Sequence, residues 1–245
     1  MFAHEKLQVY GKALDFAAKA AAWIGTWDKK HALVEHLSRA SESILLNLAE
    51  AARQRGTPAR LPIVDYAIGS SLECAGCLDV ARIKGLLTYQ DCHQEKHLLC
   101  EITKMLIGLR KAWSQSIARE EPPVFAAKSS KAVPEPVFHH EGLDVYQRAL
   151  GFMEWFVSRP GAKELSNRLF RQLDEAGTSV VLNIAEGNGR YAELDHHRFL
   201  QIAQSAAVQG AVFLDLGVER ALLVETEAIV GKEMLRRISA MVAGF

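Results

Sequence analysis

Phe2-Ala-His-Glu-Lys-Leu-Gln-Val-Tyr10 returns as Phe138-His-His-Glu-Gly-Leu-Asp-Val-Tyr146, and that return decides the fold. The offset of 136 residues holds without a gap along the chain. Leu46-Asn-Leu-Ala-Glu50 comes back as Leu182-Asn-Ile-Ala-Glu186, Leu78-Asp79 as Leu214-Asp215, and Met105 and Gly108 as Met241 and Gly244. From Phe2 to Leu109, 29 of 108 positions are identical to their counterparts. Self-similarity of this length makes the repeat the unit of structure. The period is too long for a solenoid and the right size for a small domain. The chain therefore reads as copy 1 (residues 1–118), a connecting stretch (119–137) and copy 2 (138–245).

Within each copy the apolar residues recur at helical steps. Leu7, Tyr10, Leu14, Ala17 and Ala21 form one stripe, mirrored by Leu143, Tyr146, Leu150, Met153 and Val157. A second stripe is Leu33, Leu37, Ala40, Ile44 and Leu48, mirrored by Leu169, Leu173, Ala176, Val180 and Ile184. The third runs through Ile63, Ala67, Ser70, Cys74, Cys77 and Ala81, and the fourth through Leu99, Ile102, Met105 and Leu109. Three- and four-residue spacing makes each an amphipathic helix, and no stretch alternates as a strand would. The fold class is all-α: two tandem antiparallel four-helix bundles of the same topology. Gly25-Thr-Trp-Asp28, Gly56-Thr-Pro58, Arg159-Pro-Gly161 and Gly187-Asn-Gly189 mark turns. Pro62 predicts a late or distorted start to the third helix. The stretch Arg119 to Pro136 holds four prolines and reads as a semi-stiff linker.

Net charge is zero but unevenly placed. Residues 1–118 carry 15 Lys/Arg against 12 Asp/Glu, and residues 138–245 carry 11 against 14. The imbalance gives copy 1 a mild preference for anionic partners, or lets the copies attract each other. A dedicated duplex-DNA binder would be more basic. The N-terminus lacks the pattern of a signal peptide and no run approaches a membrane span. A cytoplasmic protein with reduced cysteines and no membrane partner is expected.

Candidate chemistry is sparse. Cys74-x-x-Cys77 with Cys92, Cys100, His93 and His97 has zinc-like spacing, but copy 2 holds Gly210, Phe213, Ala228 and Arg236 at the cysteine positions. Buried thiols on an apolar seam explain them better. Glu193-Leu-Asp-His196 is a lone Glu-x-x-His, where a di-metal bundle needs two. His139-His140 and His196-His197 are expected on the surface. No catalytic set, metal or cofactor is expected. More telling are Ser43, Asn47 and Glu50, which stack along one face of the second helix and recur as Ser179, Asn183 and Glu186. A half-buried Asn and carboxylate need partners and fix helix register, so these residues are expected to hold helices together inside each bundle. The competing reading is a ligand site.

At Asn183-Ile-Ala-Glu-Gly-Asn-Gly-Arg190, together with the opening Leu-x-Val-Tyr-x-x-Ala-Leu, each copy resembles the 23S rRNA intervening-sequence proteins. These are similar in fold to the accessory variability determinant (Avd) proteins of diversity-generating retroelements. The resemblance pairs that signature with an Ala-x-Gly-Ser-x-x-Glu run on the third helix. Copy 1 keeps the run as Ala67 to Glu73, with Arg39 beside it, but its Asn47-Leu-Ala-Glu50 is followed by Ala51-Ala-Arg-Gln54. Copy 2 keeps the signature through Arg190 but has Ala203 to Gln209 on the third helix and Glu175 for Arg39. Each copy has shed half of the polar set. The resemblance implies a non-enzymatic, homo-oligomerising bundle, of a kind that forms small symmetric rings, and an adaptor or scaffold role with RNA or a reverse transcriptase. Arg53, Arg55 and Arg60, between the second and third helices of copy 1, are the candidate nucleic-acid contacts. The alternative is a purely structural self-assembling protein.

Overall fold

The computed structural model describes residues 2–119 and 137–244. Copy 1 comprises α1 (Gln8–Ile24), α2 (Ala32–Arg53), α3 (Arg60–Ile83) and α4 (Tyr89–Arg119). Copy 2 comprises α5 (Asp144–Val157), α6 (Arg168–Asn188), α7 (Glu193–Glu219) and α8 (Glu225–Val242). A short 3-10 turn precedes each, at His4–Lys6 and His139–Gly142. In each copy sequential helices pack together and the first closes against the fourth, making a four-helix bundle. No strand occurs among the described residues. The expected proline-rich linker falls almost wholly on residues 120–136, outside those described.

Helix α3 does start late: it begins at Arg60, three positions beyond the counterpart of Glu193, where α7 begins, and Pro62 lies in its first turn. It is the third residue of the helix, where the backbone N–H has no intrahelical acceptor to lose. Gly56 and Gly161 take positive φ at the turns they mark. α7 passes, by length and composition alone, for a helix able to cross a membrane, contrary to the expectation that no run comes close. Its buried residues, Leu200, Ala203, Ala206, Ala207, Gly210, Leu214 and Gly217, lie on the side packed by α6 and α8.

The stripe expected to seat the first helix in its bundle lies on a different face. Val9, Ala13, Phe16 and Ala20 fill the copy 1 core, as Val145, Ala149, Phe152 and Phe156 do in copy 2. Leu14 of the expected stripe is exposed. Its counterpart Leu150, with Tyr146, faces the other copy, because the bundles pack on each other through α3 against α5 and α6 and through α2 against α6. From Ala67 to Ala81 helix α3 is thus enclosed, and each residue of that stretch is buried.

Candidate functional site

The junction between the copies is built from small residues and a few buried charges. Gly76 of α3 lets α6 come close: a Cβ there would lie 3.0 Å from Leu182 Cδ2 and 3.7 Å from Tyr146 Oη. Tyr146 Oη donates to Asp79 Oδ2 at 2.8 Å. Lys96 Nζ lies 2.9 Å from Asp79 Oδ1 and 2.6 Å from Glu141 Oε1, so one buried lysine serves an acid from each copy. Burial opposes the Lys96 charge, but the two carboxylates outweigh it and raise its pKa. A second buried ion pair, Lys84–Asp174, ties the end of α3 to α6, and Asp174 also accepts the Ala32 N–H at 3.2 Å. His140, expected at the surface, is fully buried against the Tyr146 ring, and burial and Lys96 push its pKa down to about 3. A neutral imidazole is the form that fits there.

At one edge the junction opens into a cleft of about 460 Å³ lined from α2, α3, α6 and α7. All but Glu50 of the polar residues singled out from sequence meet here, one half from each copy. Copy 1 supplies Asn47 and Glu73, with His36, Arg39, Ser43 and Ser70; copy 2 supplies Asn183, Glu186 and Arg190, with Ser179. Arg190 is buried, pairs with Glu186, donates to the Asp65 carbonyl of copy 1 at 3.3 Å, and lies 4.8 and 4.6 Å from the Tyr66 and Phe199 rings. Glu73 Oε1 accepts from Arg39 at 3.3 Å and lies 3.2 Å from His36 Nδ1. Burial, and then the charge of Glu73, raise the Glu186 pKa to about 7 despite Arg190.

The expected role of the asparagines is corrected in its geometry. Asn47 Nδ2 donates to the Ser43 carbonyl at 2.8 Å and Asn183 Nδ2 to the Ser179 carbonyl at 2.7 Å, each one turn back on its own helix. The helix-to-helix bond is Ser43 Oγ to Ser70 Oγ, 2.7 Å. Glu50 is elsewhere, on the outward end of α2, where Arg53 and Gln54 bond it and lower its pKa to about 2. Among the three arginines, Arg55 is exposed and Arg53 is engaged by Glu50. Arg60 is not a surface group: it is buried under Trp113, its guanidinium 3.3 Å from the ring centroid. Burial and nearby Arg55 lower its pKa to about 10.

The four cysteines are free and buried. Burial pushes Cys74 and Cys77 well above the ordinary thiol range, which suits packing and not ligation. His196 contacts the Gly187 carbonyl at 2.8 Å and closes the α6–α7 turn. Sequence reasoning missed Tyr146, Lys96 and His36 as junction residues. One signal was available: the run from Ala67 to Ala81 has no polar face, which a helix needs unless it is covered all round.

Two stretches, residues 5–108 and 141–244, each match the family described as 23S rRNA-intervening sequence protein. Searches of curated proteins and of solved structures found no match.

Proposed function

We propose that this chain, which belongs to the 23S rRNA-intervening sequence protein family in two tandem copies, is a non-enzymatic scaffold that assembles with itself head to tail. The observation that carries this reading is the relation of its outward faces to the junction. Phe2, Leu14 and Leu46 are exposed on copy 1 at the positions of Phe138, Leu150 and Leu182 in the junction; Leu46 is 68% exposed and Leu182 1%. Val208 and Val212 are exposed on copy 2 at the positions of Leu72 and Gly76, which are covered. One chain thus presents, unpaired, both halves of an interface it has formed once internally. An interface joining unlike faces adds copies until it closes. The outward version is looser, because Val212 stands where Gly76 allows close approach and Arg236 where Cys100 is buried.

The absence of catalysis is supported by the cleft's own chemistry. Ser43 and Ser70 bond each other, and His36, the one histidine lining it, faces Glu73 and Arg39. Sedimentation over a concentration series tests the assembly: species larger than one chain are expected, reduced by Leu46→Asp and by Val212→Asp. A wild-type chain that stays single at every concentration overturns it. The reading as an adaptor for RNA or a reverse transcriptase keeps only Arg55 and the paired Arg53 of its three arginines. Steeply salt-dependent RNA binding, lost when both become serine, would restore it.

A further inference from the structure

The polar set of the cleft occurs once in the molecule although the bundle occurs twice. Arg39, Ser70 and Glu73 correspond to Glu175, Ala206 and Gln209 on copy 2, and Arg190 corresponds to Gln54 on copy 1. Both bundles fold without the missing half, so these side chains are not there to build a bundle. Nor do their charges simply clamp the junction. Glu73 comes from one copy and Glu186 from the other, and like charges across an interface oppose docking. Both are engaged through Oε1 alone. The Glu73 side chain is only 8% exposed, yet its Oε2 accepts no hydrogen bond from a described residue. The same is true of Glu186 Oε2 and of the Asn47 and Asn183 side-chain oxygens, whose amide nitrogens are turned back onto their own helices.

We propose that this cleft binds an aliphatic primary amine, its ammonium held between the carboxylates of Glu73 and Glu186. An ammonium brings three donors and no acceptor to a site with open acceptors from both copies. Ala40, Leu182, Tyr66, Phe199 and Ile202 supply apolar wall for the methylenes. An anion is served less well: Arg39 and Arg190 each already face a carboxylate, and the one donor of Arg190 left without a partner, Nε, is fully buried behind the ion pair, whereas the open acceptors face the cleft. A bare metal ion is not served either: no group of three or more His, Cys, Asp or Glu able to hold one occurs among the described residues. Burial first, and the neighbouring Glu73 second, raise the Glu186 pKa, and an ammonium between the two carboxylates would oppose the second of these.

The test is calorimetric titration of the full chain at pH 8 with butylamine and with 1,4-diaminobutane, against butyrate, inorganic phosphate and magnesium chloride at equal ionic strength. Saturable binding of an amine is expected, weakened roughly tenfold or more by Glu73→Gln and by Glu186→Gln. Glu50→Gln, at the outward counterpart of Glu186, is expected to leave it unchanged. Thermal melts of each variant separate loss of the site from loss of the fold, and the wild-type titration decides whichever way the variants fold. No saturable heat with either amine overturns the proposal. So does undiminished binding in folded Gln variants, or saturable binding of phosphate or magnesium in place of the amines.

Discussion

Helices α3 and α7 occupy the same place in their bundles, descend from the same repeat and live in different surroundings. α3 is covered on all sides from Ala67 to Ala81, whereas α7 buries one face and leaves Val208 and Val212 in the open. The same two residues make the point at atomic scale. Asp79 and Lys96 form a buried pair joined by Tyr146 and Glu141, while Asp215 and Lys232 form the equivalent pair at 2.7 Å with both side chains exposed. Identical chemistry at identical spacing has opposite consequences, because the partner copy excludes water from one pair and not from the other.

The comparison breaks most visibly at the lysines. Lys96→Met strands Asp79 and Glu141 in the junction and is expected to cost about 3–5 kcal/mol in urea unfolding, as removal of one member of a buried pair does. Lys232→Met, at the open pair, is expected to cost less than about 1 kcal/mol. Equal effects would mean the junction is not formed in solution. The next effect is pH dependence. Glu186 is raised in the folded protein from 4.5 to about 7, so the folded state holds its proton where the unfolded chain has lost it. Stability is therefore lost as pH rises from about 4.5 to about 7, by up to roughly 3 kcal/mol, and does not change further above that from this group. Glu186→Gln should flatten that slope, seen in melting temperatures between pH 5 and 8; an unchanged slope would remove Glu186 as its source. The smallest effect concerns spacing. Gly76→Val makes copy 1 resemble copy 2, presses on Leu182, and should cost about 1–3 kcal/mol in unfolding free energy. A neutral result would show that α3 and α6 have room to part.

The fold was legible because helical periodicity and a gapless repeat are properties of one chain read along its length. Periodicity reports that a face is apolar without reporting what covers it. Tyr146 and Leu150 therefore read as bundle core, although they face the other copy, while Val9, Ala13 and Phe16 went unmarked. His140 and Arg60 failed for a related reason. Local sequence makes both look like solvated groups, but one is enclosed by the junction and the other is covered by Trp113 of the distant α4. The cleft residues were legible as two incomplete sets. What could not be read was that the incomplete sets face each other, since that depends on how α3 and α6 dock.

The cleft draws its walls from both copies, and both copies lie on one polypeptide. An unfused pair of bundles would lose such a site on dilution, whenever its concentration fell below the dissociation constant of the pair. Covalent connection replaces that concentration with an effective one that does not fall as the protein is diluted. Occupancy of the cleft then depends on the ligand alone, from crowded to trace amounts of protein, with one site for every chain.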